Sequence, residues 1–376
     1  VPTLVAILAV VAGCTTLLPE RGGGGGAVAD APATDRRVDT EAIDRLFAEY
    51  DAPGVPGAAV AVVHQGRVVH ARGYGLAELE RGSRVSERTS FRLASLTKPF
   101  TAMATLLLVR EGRLDLEDPV HAVLPDFPEY ARAVRIRHLL THTSGLQPYP
   151  ELVPPSSVRH VKDRDVLTLL KKRADRLQFR PGSEFRYGDS CYAVLALVIE
   201  TVSGQPFARF LHDRIFVPSG MTAALAWEPG GPAVPHRAYG YTATRRGFHL
   251  SDHSNTSTVL GDGGIYASIR DLIAWDRALD DQRVLDAGWL ALAWTPTVLS
   301  DGTTAPYGLG WFLDERTPGG RSVFHHGITS GFSNVYVKYP DARLTIIVLT
   351  NRRGGRAREI AAAIAALPSF REAAAR

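Results

Sequence analysis

Phe91-Arg92-Leu93-Ala94-Ser95-Leu96-Thr97-Lys98-Pro99-Phe100 is the stretch on which the reading of this chain turns. A short apolar run gives way at Ser95 to a helix expected to reach Arg110, with Met103, Leu106, Leu107 and Val109 apolar and Gly112 as its stop. A spacing of three on a helix puts the Ser95 hydroxyl and the Lys98 amine on one face, so Lys98 can reach the serine proton. Backbone N–H groups in a first turn lack intrahelical partners and can donate to the oxyanion of a tetrahedral intermediate. Lysine is scarce, present only at 98, 162, 171, 172 and 338, and no other lysine follows a serine at this spacing.

Outward from this point the pattern is strands at both ends and helices between. Asp39 to Tyr50 has a helical period, and Ala58 to Val63 and Arg67 to Ala71 read as strands joined through Gln65-Gly66. From about residue 111 to 260 helical segments dominate, among them Val166 to Leu177 and the apolar Tyr192 to Thr201. Strands return at Leu309 to Leu313, Ser322 to His326, Ser333 to Tyr339 and Leu344 to Leu349, before a helix from Arg356 to Leu367. The two ends are expected to close into one mixed lobe against a helical lobe, leaving a cleft between them.

Composition narrows the class. Lys plus Arg number 43 against 39 Asp plus Glu, and the small positive balance is spread as scattered arginine, which argues against nucleic acid as a partner. Residues 1–14 form an apolar run ending in Val11-Ala12-Gly13-Cys14, which reads as a signal peptide closing on a lipobox-like cysteine. It is too short for a membrane span. Residues 15–38, with Gly22 to Gly26 contiguous, read as a flexible tether, and 39–368 as the folded domain with its helical lobe at about 111–260. The expectation is an exported lipoprotein of the cell envelope, held to a membrane through Cys14 and facing the periplasm or cell exterior. With Cys14 set aside, Cys191 has no partner for a disulfide.

With Ser95 and Lys98, two more elements follow in order: Tyr187-Gly188-Asp189 and His325-His326-Gly327. Between and around them stand Leu139-Leu140-Thr141-His142-Thr143-Ser144-Gly145-Leu146, Gly263-Gly264-Ile265-Tyr266 and Tyr307-Gly308-Leu309-Gly310-Trp311. In this set the chain resembles the serine β-lactamase and penicillin-binding protein superfamily, in its class C β-lactamase, DD-peptidase and esterase branch. The resemblance runs from about Asp39 to Leu367. It implies an α/β (α+β) fold of the β-lactamase/transpeptidase type: a mixed lobe with an antiparallel sheet flanked by terminal helices, a helical lobe, and the active site in the cleft.

By that resemblance Ser95 is the acylated nucleophile, and Lys98 with Tyr187 moves its proton. Both groups have reference pKa values near 10, so neither is a base at neutral pH unless perturbed, and the two are treated as one coupled unit. Asp189 stands where better-known relatives carry Asn; an ionised carboxylate near Lys98 favours the ammonium and opposes its use as a base. His325 replaces a lysine and is expected to be only partly charged near pH 7, with a substrate-binding or proton-sharing role. Strand alternation puts His325 and Gly327 on one face and His326 on the other. Gly327 would allow close backbone approach of a substrate, and the Ile328 N–H would join that of Ser95 as an oxyanion donor.

No Gly-x-Ser-x-Gly elbow is present, and His138 and His142, though spaced like metal ligands, lack an intervening glutamate. No cofactor is implied. The expected reaction is acyl transfer on a β-lactam, a D-alanyl peptide or a carboxyl ester, with a small molecule or peptide as substrate. The alternative is a non-turnover penicillin- or peptidoglycan-binding sensor or scaffold of the same fold.

Overall fold

The computed structural model describes residues 38–371 except 174, 318 and 319. The signal-peptide, tether and Cys14 expectations fall on residues outside that range. In β1 (Ala58–His64) alternation sends Ala59, Ala61 and Val63 to one side and Ala58, Val60 and Val62 to the other, and both sides are buried. A strand apolar on both faces needs cover on both.

The elements that matter here follow in chain order. The helix α1 (Thr40–Leu46) precedes β1 and β2 (Arg67–Tyr74); then come β3 (Phe91–Arg92), α2 (Lys98–Arg110), α3 (Asp163–Arg173) and α4 (Ser190–Ser203). After these are β4 (Leu225–Ala226), the hairpin β5 (Tyr241–Thr244) and β6 (Gly247–Leu250), β7 (Ile265–Ala267), α5 (Ile269–Asp280) and α6 (Ala287–Ala293). The chain ends with β8 (Phe312–Thr317), β9 (Gly320–Thr329), β10 (Phe332–Tyr339), β11 (Leu344–Thr350) and α7 (Ala357–Ala365). The β5–β6 hairpin interrupts a region whose sequence read as mainly helical.

The main sheet has strand order β8-β9-β10-β11-β1-β2, every pair antiparallel. Its outer face carries Val60, Val62, Val335, Val337, Ile346 and Val348, covered by Ile43 of α1 and by Ile360 and Ile364 of α7. The inner face, with Ala59, Ala61, Tyr336, Ile347 and Leu349, joins the core formed with α2, α4 and α5. Gln65 and Gly66 both take positive φ, 52° and 75°, the pair of left-handed residues that a two-residue hairpin turn requires between β1 and β2.

Two helices bring the site together. The apolar α4 buries its residues from Ser190 through Ile199, so it is a core helix rather than an amphipathic surface one. Gly204, at φ 72°, ends it in the left-handed conformation glycine adopts without a Cβ clash. The helix expected from Ser95 instead begins with a single 3₁₀ turn, Ala94–Thr97, and becomes α-helical at Lys98. The strand expected from Leu309 starts only at Phe312. Gly310 there has φ 89°, and a Cβ on it would meet the Ala102 side chain at 2.5 Å, so Tyr307 to Trp311 forms a loop pressed against α2.

Candidate active site

Ser95 sits in the 3₁₀ turn between β3 and α2. The preceding Ala94 has φ 51°, a left-handed conformation that costs a non-glycine residue about 1 kcal/mol and that its surroundings must maintain. They do so from two sides: Leu93 N–H donates to the Ile265 carbonyl at 2.8 Å, and Gly327 of β9 lies against the turn. A Cβ at Gly327 would stand 1.9 Å from the Leu93 carbonyl oxygen and 3.0 Å from the Leu96 nitrogen. Close approach at this glycine is therefore made by the serine's own turn, where the sequence suggested a substrate. Ile328, next along β9, is 61% exposed at the strand's end.

Lys98 is wholly buried, and its ammonium has three acceptors: Ser95 Oγ at 3.0 Å, Asp189 Oδ1 at 2.7 Å and the Asp262 carbonyl at 3.1 Å. Burial alone would lower the lysine pKa, but the carboxylate of Asp189 reverses the effect and raises it. In the resting site Lys98 is thus a hydrogen-bond donor to Ser95. Asp189 occupies the N-cap position of α4, where an aspartate usually accepts from the first backbone N–H groups; its side chain makes no cap bond and binds Lys98 instead.

Tyr187 covers the lysine, with Lys98 Nζ 4.9 Å from its ring centroid. Its hydroxyl is buried and faces Lys98 and Ser95, without reaching good hydrogen-bond geometry to either. Burial pushes the phenol up to about 12 against the pull of Lys98. The loop carrying it is fastened by His142, which the sequence offered as a rejected metal ligand and as one residue of the Leu139–Leu146 stretch. The His142 carbonyl accepts from Arg186 N–H at 3.0 Å and its Nδ1 accepts from Gly188 N–H at 3.2 Å, one bond on each side of Tyr187. Its ring also lies 4.4 Å from that of Tyr187 and 4.8 Å from that of Tyr307. Burial, and then Lys98, push its pKa well below the ordinary histidine value.

His325 is completely enclosed. Its Nδ1 lies 2.8 Å from the His326 carbonyl, which can only accept, so Nδ1 carries the proton and Nε2 accepts from the Tyr307 hydroxyl at 3.1 Å. Burial first, then Lys98, hold its pKa well below the usual range, so the ring is neutral where the sequence suggested partial charge. Both nitrogens are occupied by protein. His326, on the opposite strand face, is partly exposed and its Nδ1 has no partner among the described residues.

Several members of this cluster were not singled out in sequence. Tyr149 Oη donates to Asp262 Oδ2 at 3.1 Å, and burial and Asp189 raise the Asp262 pKa well above its ordinary value, favouring a protonated carboxyl behind the lysine. Asp163 accepts from the N–H groups of Leu260 and Gly261 at 2.9 and 3.0 Å and so fixes the segment whose carbonyl holds Lys98. Arg92, buried, donates to Ser257 Oγ at 2.7 Å and Ser257 O at 3.0 Å, tying β3 to the loop before β7. Isolated Asp, Tyr and Arg residues without mutual spacing leave no local signal of this kind.

Among the described residues no group of three or more His, Cys, Asp or Glu is placed to hold a metal ion. The arrangement supplies a hydroxyl, an ammonium that donates to it and is held in turn by a carboxylate, and a phenol against the ammonium, the parts that could move one proton from a nucleophile.

The sequence model of the Beta-lactamase family matches residues 43–368. Penicillin-binding protein 4* of Bacillus subtilis (strain 168) is 32% identical over 306 residues, covering 78% of this chain and 67% of that protein. A D-aminopeptidase of Brucella anthropi is 34% identical over 307 residues, covering 80% of this chain but only 57% of the relative, so the chain spans little more than half of that protein. In structure, the octameric penicillin-binding protein homologue from Pyrococcus abyssi superposes with a TM-score of 0.77 at 24% identity, over 87% of this chain and 77% of that one. The matched span takes in both ends of the sheet, the Ser95 turn and the Tyr187 loop, and on that ground the chain belongs to the β-lactamase family of serine β-lactamases and penicillin-binding proteins.

Proposed function

We propose that this protein is a serine hydrolase that forms an acyl-enzyme on Ser95. The observation that carries the reading is the Lys98 ammonium held between Ser95 Oγ and Asp189 Oδ1 with Tyr187 against it. Once the Lys98–Tyr187 pair has given up one proton to solvent, Ser95 attacks a carbonyl carbon, its proton passes to that pair, and backbone N–H groups of Ser95 and Ile328 receive the oxyanion. The same pair returns the proton to the leaving amine or alcohol. Water then attacks the ester, releasing the acid and restoring Ser95.

Among possible substrates the site favours uncharged esters and small amides over β-lactams and D-alanyl peptides, whose free carboxylate needs a cationic anchor. His325, where relatives carry lysine, is neutral and enclosed, and so supplies no such charge. Similarity to a D-aminopeptidase supports the amide reading.

The test is intact-mass and turnover measurement with a p-nitrophenyl ester, a D-amino-acid p-nitroanilide and benzylpenicillin, beside the Ser95→Ala protein. Turnover of the ester or anilide that vanishes with Ser95 supports the proposal. Activity surviving in Ser95→Ala overturns the nucleophile, and benzylpenicillin consumed as fast as the ester overturns the substrate preference.

A further inference from the structure

Away from the Ser95 site, α5, α6 and the near ends of β9, β10 and β11 line a half-open cavity of about 650 Å³. Arg321 on its wall is six residues along β9 from Gly327, about 20 Å at the rise of an extended strand, so this is separate from the cleft. A volume of this size is in the range that holds a small organic ligand.

The lining has an apolar side and a charged side. Leu279 of α5, with Leu290 and Trp294 at α6, supply aliphatic and indole surface. Lys338 is locked by Asp276 Oδ1 at 2.9 Å and Asp280 Oδ1 at 2.8 Å, so this internal cluster leaves no free cation. Two guanidiniums remain. Arg343, exposed on the β10–β11 turn, makes no side-chain ion pair or hydrogen bond among the described residues. Arg321 has only a long 3.4 Å contact with the exposed Asp341. Gln282 Oε1 accepts from the Ala287 N–H at 3.1 Å, which leaves the amide NH₂ of Gln282 as a donor on the same wall.

An apolar wall facing two under-used guanidiniums and an amide donor is complementary to a molecule with one anionic end and one apolar end. We infer that this cavity is a second binding site, for a carboxylate with an aromatic or branched aliphatic body, its carboxylate on Arg321 and Arg343 and its body against Leu279, Leu290 and Trp294. The site is independent of whether Ser95 is the nucleophile.

The probe is 4-phenylbutyrate, titrated calorimetrically into the full-length protein, with neutral 4-phenylbutanamide as comparator. Expected is one saturable site with a Kd of about 1 mM or tighter, weakened about tenfold by Arg343→Ala and lost in the Arg321→Ala/Arg343→Ala protein. Leu290→Trp, which fills the cavity from its apolar side, should also abolish binding, and unchanged melting of the two arginine variants shows that the fold is retained. Equal binding of acid and amide, undiminished binding in the double variant, or no saturation by about 10 mM overturns the inference.

Discussion

Lys98 Nζ lies closer to Asp189 Oδ1, at 2.7 Å, than to the Ser95 oxygen it faces, at 3.0 Å. The carboxylate is the strongest influence holding the amine protonated against its burial. On the proposed acyl-enzyme route, activity should therefore climb toward alkaline pH, because Lys98 would have to lose its proton before the pair could accept one from Ser95. Asp189→Asn removes the anion, lowers the lysine pKa and moves the acid limb of kcat/KM for an ester down by about a unit or more. A limb that stays in place shows that Asp189 does not set the charge of Lys98.

Tyr187→Phe separates chemistry from folding. Phe keeps the ring against Lys98, so the protein should stay folded with its melting temperature little changed. Acylation of Ser95 by a p-nitrophenyl ester should fall by about 10² to 10⁴. Unchanged acylation in a folded protein removes Tyr187 from the proton path.

Asp276 tests the buried ionic cluster beneath the sheet. Its Oδ1 accepts from Tyr336 Oη at 2.6 Å, Lys338 Nζ at 2.9 Å and Thr345 Oγ1 at 2.8 Å. Asp276→Ala leaves the Lys338 ammonium without the buried one of its two anions and should cost about 3–5 kcal/mol in urea unfolding. A loss below about 1 kcal/mol would mean that Asp280 alone satisfies Lys338.

Two buried histidines and a partly exposed one make stability depend on pH. His142, His325 and His326 all have folded pKa values below the ordinary one, that of His326 at about 4. The unfolded chain therefore takes up protons that the folded one refuses. Their stabilisation is complete above about pH 6.5 and is lost as pH falls below it toward the folded values. The slope of melting temperature against pH should show this, and His326→Phe should reduce proton uptake on unfolding near pH 5 by about one.

Gly327→Ala would drive a Cβ into the Leu93 carbonyl, displacing the Ser95 turn or strand β9. We expect a stability loss of about 2–3 kcal/mol and at least about a tenfold loss of acylation. Full activity would show that the turn has room to move.

The sheet and its covering helices were legible because apolar periodicity is a local property, as in Ala58 to Val63 and Leu344 to Leu349. Ser95 and Lys98 were legible because they share one turn. Asp262, Tyr149 and His142 were not, since their relation to Lys98 is made only by α4 and the segment before β7 folding over α2. His325 shows the opposite limit: the residue was visible, but its neutrality depends on Tyr307 and on complete enclosure, neither of which follows from the strand that carries it.

The pairing of β1 with β11, Ala58 opposite Thr350, governs how the chain must be assembled. When β1 and β2 leave the ribosome, the partner for the open side of β1 has not been made, and it arrives only after the helical lobe and three further strands of the same sheet, β8, β9 and β10. Until then a valine-rich edge stands unpaired. Closure of this sheet thus waits for β11, slowed by the long loop to be closed, and until then the nascent domain needs protection from self-association.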